Sequence, residues 1–216
     1  MSVDATGTVS IVDDDAAVRD SLSLLLDLHG YKTRSFARGE DFLGAIDSAA
    51  RGCVLLDLRM PNVDGIAVQA ALAARGITLP VIILTAHGDV ASARAALKAG
   101  AFDFLEKPID DTLLLRTIDA ALGRDASARI EIERSDALRR RVARLTPRER
   151  QVLVAVIDGR HNREIAATLG ISPRTVEVYK ARLMDKLQID RLPELIRLAL
   201  EFRLMEDPAI RDSRRA

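Results

Sequence analysis

Cys53-Val54-Leu55-Leu56-Asp57 is a run of apolar residues that ends on a carboxylate. A short uninterrupted apolar run reads as a strand buried on both faces, and the residue that follows it stands at the strand's carboxyl end. The same design recurs along the first half of the chain. Val9 to Val12 is followed by Asp13-Asp14-Asp15, Val81 to Leu84 by Thr85, and Phe102 to Leu105 by Glu106-Lys107-Pro108; Tyr31 to Ser35 makes a fifth run. Helical patterns such as Ala16 to Leu28 and Asp89 to Ala99 lie between the runs, and Gly30, Gly76 and Gly100 stand where a left-handed residue would close a helix. Five strands alternating with helices predict an α/β doubly wound, five-stranded parallel sheet covered on both faces, here assigned to residues 1–122.

Beyond Leu122 the strand signals stop. Residues 123–142 are rich in Arg, Glu and Ala and read as a charged helical linker, with a short coiled coil as a weaker alternative because its heptad is poor. Residues 143–206 read as an all-α domain of four helices. Thr146-Pro147-Arg148-Glu149 is a capping box with Pro at the first helical position, and Gly159 can close that helix. A second helix, Asn162 to Leu169, stops at Gly170; Ser172-Pro173 caps a third that runs to about Leu187; Leu192 to Leu204 forms the fourth. The tail, residues 207–216, has no apolar periodicity and is expected to be disordered.

The chain has 216 residues, 48% hydrophobic and 30% charged, with no Trp, a composition able to fold two cores without cross-links. Its one cysteine, Cys53, excludes an internal disulfide and reads as a buried strand residue. The N-terminus lacks a basic segment followed by an apolar core, and no apolar stretch approaches membrane-spanning length, so a cytoplasmic protein is expected. A net charge of zero conceals an asymmetry. Residues 1–123 hold 11 Lys and Arg against 17 Asp and Glu, a balance of −6, and residues 124–216 hold 21 against 15, a balance of +6. An acidic half suited to a cation is thus followed by a basic half suited to a polyanion.

In open α/β sheets ligands gather beyond the carboxyl ends of the strands. Here those ends deliver Asp13 and Asp14, Asp57, Thr85 and Lys107. Crowded carboxylates repel one another, and a hard divalent cation with oxygen ligands, Mg2+, relieves that repulsion. With the charge offset, a carboxylate can attack a phosphoryl group while an ammonium and a hydroxyl stabilise its oxygens. Asp15 reads as a cap or first-turn residue of the next helix, and His87 as a loop residue.

Asp13-Asp14, Asp57, Thr85 and Lys107-Pro108, together with Met60-Pro61 and Asp64-Gly65, resemble the receiver domains of two-component response regulators, whose fold is flavodoxin-like. The resemblance implies that Asp57 is the phospho-acceptor, Asp13 and Asp14 the acidic pocket, and Asp14, Asp57 and the Arg59 backbone carbonyl the ligands of Mg2+. It also implies that Lys107 pairs with the phosphoryl group, that Thr85 and Phe104 form the switch, and that the Lys107-Pro108 bond is cis. A core aromatic is the alternative reading for Phe104.

The third helix of the second half places Val176, Leu183 and Leu187 on a buried stripe and leaves Arg174, Thr175, Glu177, Val178, Lys180, Ala181 and Arg182 outward or flanking. Basic, hydroxyl and small residues on one face suit phosphate contact and entry into the major groove. Leu145-Thr146-Pro147-Arg148-Glu149-Arg150, Asn162 to Ala166, Leu169-Gly170-Ile171-Ser172, Thr175-Val176 and Lys186-Leu187 resemble the LuxR-type helix-turn-helix. The whole chain therefore resembles a FixJ/NarL-type regulator, nearer the FixJ branch through Ser172-Pro173-Arg174-Thr175-Val176-Glu177-Val178 and His87-Gly88-Asp89. The resemblance implies base contacts from Glu177, Val178 and Ala181, and phosphate contacts from Arg174, Thr175, Lys180 and Lys186. Glu177 has a second reading, an ion pair with Lys180 or Arg174 along its own helix.

These features predict a phosphorylation-activated transcriptional regulator with a sensor histidine kinase and promoter double-stranded DNA as partners. A homodimer in the phosphorylated state is expected, with RNA polymerase as a further partner. It would not be an enzyme beyond its own phosphotransfer and slow self-dephosphorylation. Two other readings compete: a phosphatase built on the same acidic site, and a phosphorylation-independent regulator or protein-interaction module of the same fold.

Overall fold

The computed structural model describes residues 7–85, 94 and 96–201. The His87-Gly88-Asp89 loop, most of the helix expected over Asp89 to Ala99, and the tail 207–216 fall outside the described residues. The chain divides into two compact units, Met1–Arg129 and Ile130–Ala216.

The first unit runs β1 (Thr8–Val12), α1 (Ala16–Leu28), β2 (Lys32–Phe36), α2 (Gly39–Ala45), β3 (Gly52–Asp57), α3 (Gly65–Ala74), β4 (Val81–Thr85), β5 (Asp103–Glu106) and the start of α4 (Asp111–Ala143). Its five strands form one sheet in the order β2-β1-β3-β4-β5, and every neighbouring pair is parallel. Alternation along the strands divides the core in two. Val9, Ile11, Cys53, Leu55, Ile82 and Leu84 pack with α1 and α4. Val12, Val54, Leu56, Val81 and Ile83 face the other way, toward Phe42 of α2 and Val68 and Leu72 of α3. Each fully buried side chain of this kind contributes about 1.5–3 kcal/mol, so the two apolar layers fix the sheet that carries the strand-end residues.

Two glycines are required by close approach. Gly52 has φ +124°, and a Cβ there would lie 2.0 Å from the Thr8 carbonyl oxygen, so only glycine lets β3 start beside β1. At Gly65 a Cβ would lie 2.6 Å from the Asp57 carbonyl oxygen, which brings the first turn of α3 against the end of β3. Between them, Cys53 is 1% exposed. Burial, with the Asp125 carboxylate nearby, pushes its thiol up to about 12. The thiolate is the reactive form, so Cys53 is expected to resist alkylation at pH 8 in the native protein and to react only after unfolding. Rapid native-state labelling followed by mass spectrometry would contradict that burial.

Helix α4 crosses the boundary expected at residue 122 without a break. Gly123 lies inside it, where a glycine costs only about 1 kcal/mol relative to alanine, so the residue did not mark an end. Residues 123–129, assigned to the linker from the sequence, belong to the first compact unit, because Asp125 and Arg129 bond to the segment that leads into β3.

The second unit holds α5 (Pro147–Ile157), α6 (Asn162–Leu169), α7 (Pro173–Leu187) and α8 (Leu192–Glu201). Thr146 and Glu149 complete the capping box, Gly170 closes α6 in the left-handed conformation, and Ser172 caps α7 by accepting from the Thr175 amide. Val152, Leu153, Ile165, Val176, Leu183, Leu187 and Leu195 form its core together with Leu138, Val142 and Leu145.

Candidate functional site

The strand ends of β1, β3 and β4, with Lys107 just after β5, meet in one cleft of about 280 Å3. It is lined by Asp13, Asp14, Asp15, Val18, Asp57, Leu58, Arg59, Thr85 and Lys107. Parallel register produces this convergence: β3 pairs with β4 as far as Asp57 and Leu84, and β4 with β5 as far as Thr85 and Glu106. The Lys107 amide then donates to the Thr85 carbonyl at 2.7 Å, and the Lys107-Pro108 bond is cis.

At the centre the Lys107 ammonium donates to Asp13 Oδ2 at 2.6 Å and to Asp57 Oδ1 at 2.7 Å. The second oxygen of Asp57 accepts from the Arg59 amide at 2.9 Å. Asp13 is 1% and Asp57 6% exposed, and the other oxygen of Asp13 accepts from the Asp15 amide. Burial raises the Asp57 carboxyl above its ordinary range, and the neighbouring Asp13 adds to this, against the lowering effect of Lys107 and the Arg59 amide. Burial works to lower the Lys107 ammonium, but its bonds to Asp13 and Asp57 prevail and raise it. The arrangement is a pair of buried carboxyl groups sharing one cation, with Asp57 under electrostatic load.

Asp14 is exposed at the rim of the cleft and Thr85 is buried within it. Asp15 caps α1, its carboxylate accepting from the Ala17 amide at 2.8 Å. Phe104 lies half-buried against the core layer of Val12 and Ile83 and does not line the cleft. Among the described residues no three His, Cys, Asp or Glu side chains gather as a ready metal cage. Mg2+ needs no such cage, since it keeps several waters and takes one or two carboxylates. Three carboxylates, Asp13, Asp14 and Asp57, line the cleft, while a single ammonium is shared between two of them. The donor set and its excess of negative charge fit a hydrated divalent cation.

In the second unit Val176, Leu183 and Leu187 are buried at 0%, 1% and 0% exposure, whereas Arg174, Glu177, Val178, Ala181 and Arg182 are exposed. Val178, 44% exposed, is an apolar side chain that the core does not use. Among the described residues Glu177 makes no ion pair with Arg174 or Lys180; Lys180 donates instead to Asn162 Oδ1 of α6 at 3.2 Å. Lys186, read from the sequence as a phosphate contact, has a different place. Its ammonium donates to Glu149 Oε2 at 2.7 Å, and a turn toward DNA would leave that buried carboxylate without its cation.

A parallel sheet with an acidic cleft at its edge, joined in one chain to a capped helix-turn-helix, defines a regulator that couples a chemical signal to nucleic acid. Residues 9–119 match the response regulator receiver domain, and residues 143–199 match the luxR family of bacterial regulatory proteins. The transcriptional regulatory protein FixJ of Azorhizobium caulinodans is 45% identical over 192 residues, covering 89% of this chain and 91% of that protein. FixJ of Bradyrhizobium diazoefficiens is 44% identical, covering 93% and 98%. The solved structure of the response regulator StyR superposes with a TM-score of 0.80 at 38% identity, covering 90% of this chain and 98% of that one. The chain belongs to the response regulators, among the FixJ-like transcriptional regulators that join a receiver to a LuxR-type DNA-binding domain. Members of this family are transcription regulators and not classical enzymes, and they imply a histidine kinase and DNA as partners. No helix of the described residues is long and apolar enough to cross a membrane.

Proposed function

We propose that Asp57 accepts a phosphoryl group from the phosphohistidine of a sensor histidine kinase in the cytoplasm, and that the phosphorylated protein binds promoter DNA more tightly. The observation that carries this reading is the Lys107 ammonium set between Asp13 and Asp57 in an open, acidic cleft. One oxygen of Asp57 forms the new O–P bond as the P–N bond to the donor imidazole breaks, and the departing imidazole takes a proton from solvent. Lys107 moves from Asp57 Oδ1 to an oxygen of the phosphoryl group, and the Thr85 hydroxyl donates to another. Asp14, Asp57 and the Arg59 carbonyl would hold Mg2+, which supplies positive charge to the phosphoryl oxygens. Water then slowly hydrolyses the acyl phosphate, restoring the Asp57 carboxylate and releasing inorganic phosphate, with no other substrate involved.

Movement of Thr85 toward the phosphoryl group frees space that Phe104 takes up, and this change biases an existing equilibrium toward a homodimer. Arg174, Thr175 and Lys180 then hold phosphates, while Glu177, Val178 and Ala181 face base edges at paired half-sites, with RNA polymerase as the downstream partner. Lys186 is left out of this set because Glu149 holds it.

The test is the intact mass and the DNA affinity of the full chain with acetyl phosphate, with Mg2+ and with excess EDTA. Uptake of one phosphoryl group is expected only with Mg2+, with affinity rising between about 5- and 150-fold and falling steeply as salt increases. Uptake in EDTA would remove the metal from the proposal. An affinity indifferent to phosphorylation would favour the phosphorylation-independent reading.

A further inference from the structure

We infer that Asp125 and Arg129 form a clasp that ties α4 to the amino end of β3, the strand whose last residue is Asp57, and that the clasp carries the state of Asp57 into the helix leading to the second unit. The inference rests on the proposed phosphorylation of Asp57.

Asp125 is 6% exposed, and its Oδ2 accepts from the Gly52 amide at 3.1 Å. Arg129 reaches the carbonyls of Ser48, at 3.5 Å, and of Ala50, and its Nε faces Asp125 Oδ1 at 3.5 Å. One helical turn thus grips Ser48 and Ala50, in the segment leading into β3, and Gly52, the first residue of the strand. Burying a carboxylate and a guanidinium is expensive unless their partners are supplied, and nothing in the packing of α4 on the sheet demands them: Leu114, Ile118 and Ala121 already do that work.

What the clasp adds is position. Strand β3 is the middle strand of the sheet, bonded on both sides to β1 and β4, so its backbone behaves as one piece from Gly52 to Asp57. Its far end is confined too, since Gly65 leaves no room for a Cβ beside the Asp57 carbonyl. A displacement of Asp57 is therefore felt at Gly52, where the clasp holds α4. Beyond Arg129 none of residues 130–137 is buried, and the next core residue is Leu138. Arg129 is the last tertiary anchor of α4 in the first unit, the place where a shift of the strand becomes a shift of the helix. Asp125 and Arg129 touch no reacting atom and are positioning residues.

The experiment compares wild type, Arg129→Ala and Asp125→Asn as full-length proteins, reading phosphoryl uptake by mass and DNA affinity before and after acetyl phosphate. Arg129→Ala is expected to take up phosphate as wild type does and to bind DNA normally when unphosphorylated. Its affinity gain on phosphorylation should shrink by about threefold or more, within the range found for coupling residues. Asp125→Asn keeps an acceptor for the Gly52 amide and should lose less. If Arg129→Ala no longer melts cooperatively, Arg129→Lys, which keeps the charge but cannot bridge both carbonyls, takes its place with the same expected loss. A variant that phosphorylates normally and keeps the full gain overturns the clasp alone. A wild type that takes up no phosphate overturns the reading of Asp57 and the clasp with it.

Discussion

Asp57→Asn is expected to take up no phosphoryl group from acetyl phosphate and to bind promoter DNA at the unphosphorylated level whether or not the donor is present. The amide keeps the shape of the carboxylate. Its oxygen still accepts from Lys107 or the Arg59 amide, so the loss is one of nucleophilicity and not of fold. Stability should move the other way. Burial raises the Asp57 carboxyl, with Asp13 adding to this and Lys107 opposing it, so the folded state holds that proton more tightly than the unfolded chain does. For such a group stability falls as pH rises from the ordinary aspartate value, about 3.9, through the raised folded value. At neutral pH the wild-type site is thus under load, and the amide relieves it. Asp57→Asn should melt no lower than wild type, and the difference should vanish in acid, where Asp57 is protonated. Phosphoryl uptake by the variant would place the acceptor elsewhere. A marked fall in melting temperature would show that the carboxylate stabilises the fold, contrary to its raised pKa.

The acidic site was legible because Asp13, Asp57, Thr85 and Lys107 each stand within two residues of the end of a strand-like run. Strand direction alone then brings Asp13, Asp57, Thr85 and Lys107 to one edge. Gly30, Gly76 and Gly100, read as left-handed caps, all have positive φ, since that signal is local to the backbone. Strand ends shifted by one residue, as at Lys32–Phe36 and Asp103–Glu106; these are the two edge strands of the sheet, and their partly exposed polar residues give no sharp apolar boundary. What could not be read depends on partners distant in sequence. Asp125 and Arg129 look like ordinary charges on a solvated helix until Gly52, Ser48 and Ala50 are brought beside them. Lys186 follows the basic pattern of a DNA-facing helix, and only the fold supplies Glu149, 37 positions away, as its partner.

That pair gives the second large effect. Glu149→Ala is expected to destabilise the second unit by about 2–3 kcal/mol. The value lies below the 3–5 kcal/mol typical of a broken buried pair, because the Lys186 side chain is 35% exposed and can recover water. The substitution also removes half of the capping box, leaving the Thr146 amide without its acceptor at 2.8 Å. Burial opposes the Glu149 charge, but Lys186 and the Thr146 amide and hydroxyl prevail and hold its carboxyl below the ordinary glutamate range. A lowered carboxyl pKa contributes stability that is present above the unfolded value, about 4.3, and is lost as pH falls below it through the folded value. Protection against amide exchange in the peptides covering α5 and α7 of the full-length protein, taken relative to the intrinsic rate at each pH, should therefore fall between about pH 5 and pH 3 in wild type. In Glu149→Gln, which keeps an acceptor for Thr146 but has no charge to titrate, this acid dependence should largely disappear. Glu149→Ala should exchange faster at all these pH values. The same variant separates the two roles open to Lys186. Bound to Glu149 it contributes nothing to DNA, so its release in Glu149→Ala would, if anything, add a phosphate contact and steepen the salt dependence of binding. If α5 and α7 exchange in Glu149→Ala as in wild type, the pair does not hold these helices together. Lys186 would then return to the phosphate-binding set.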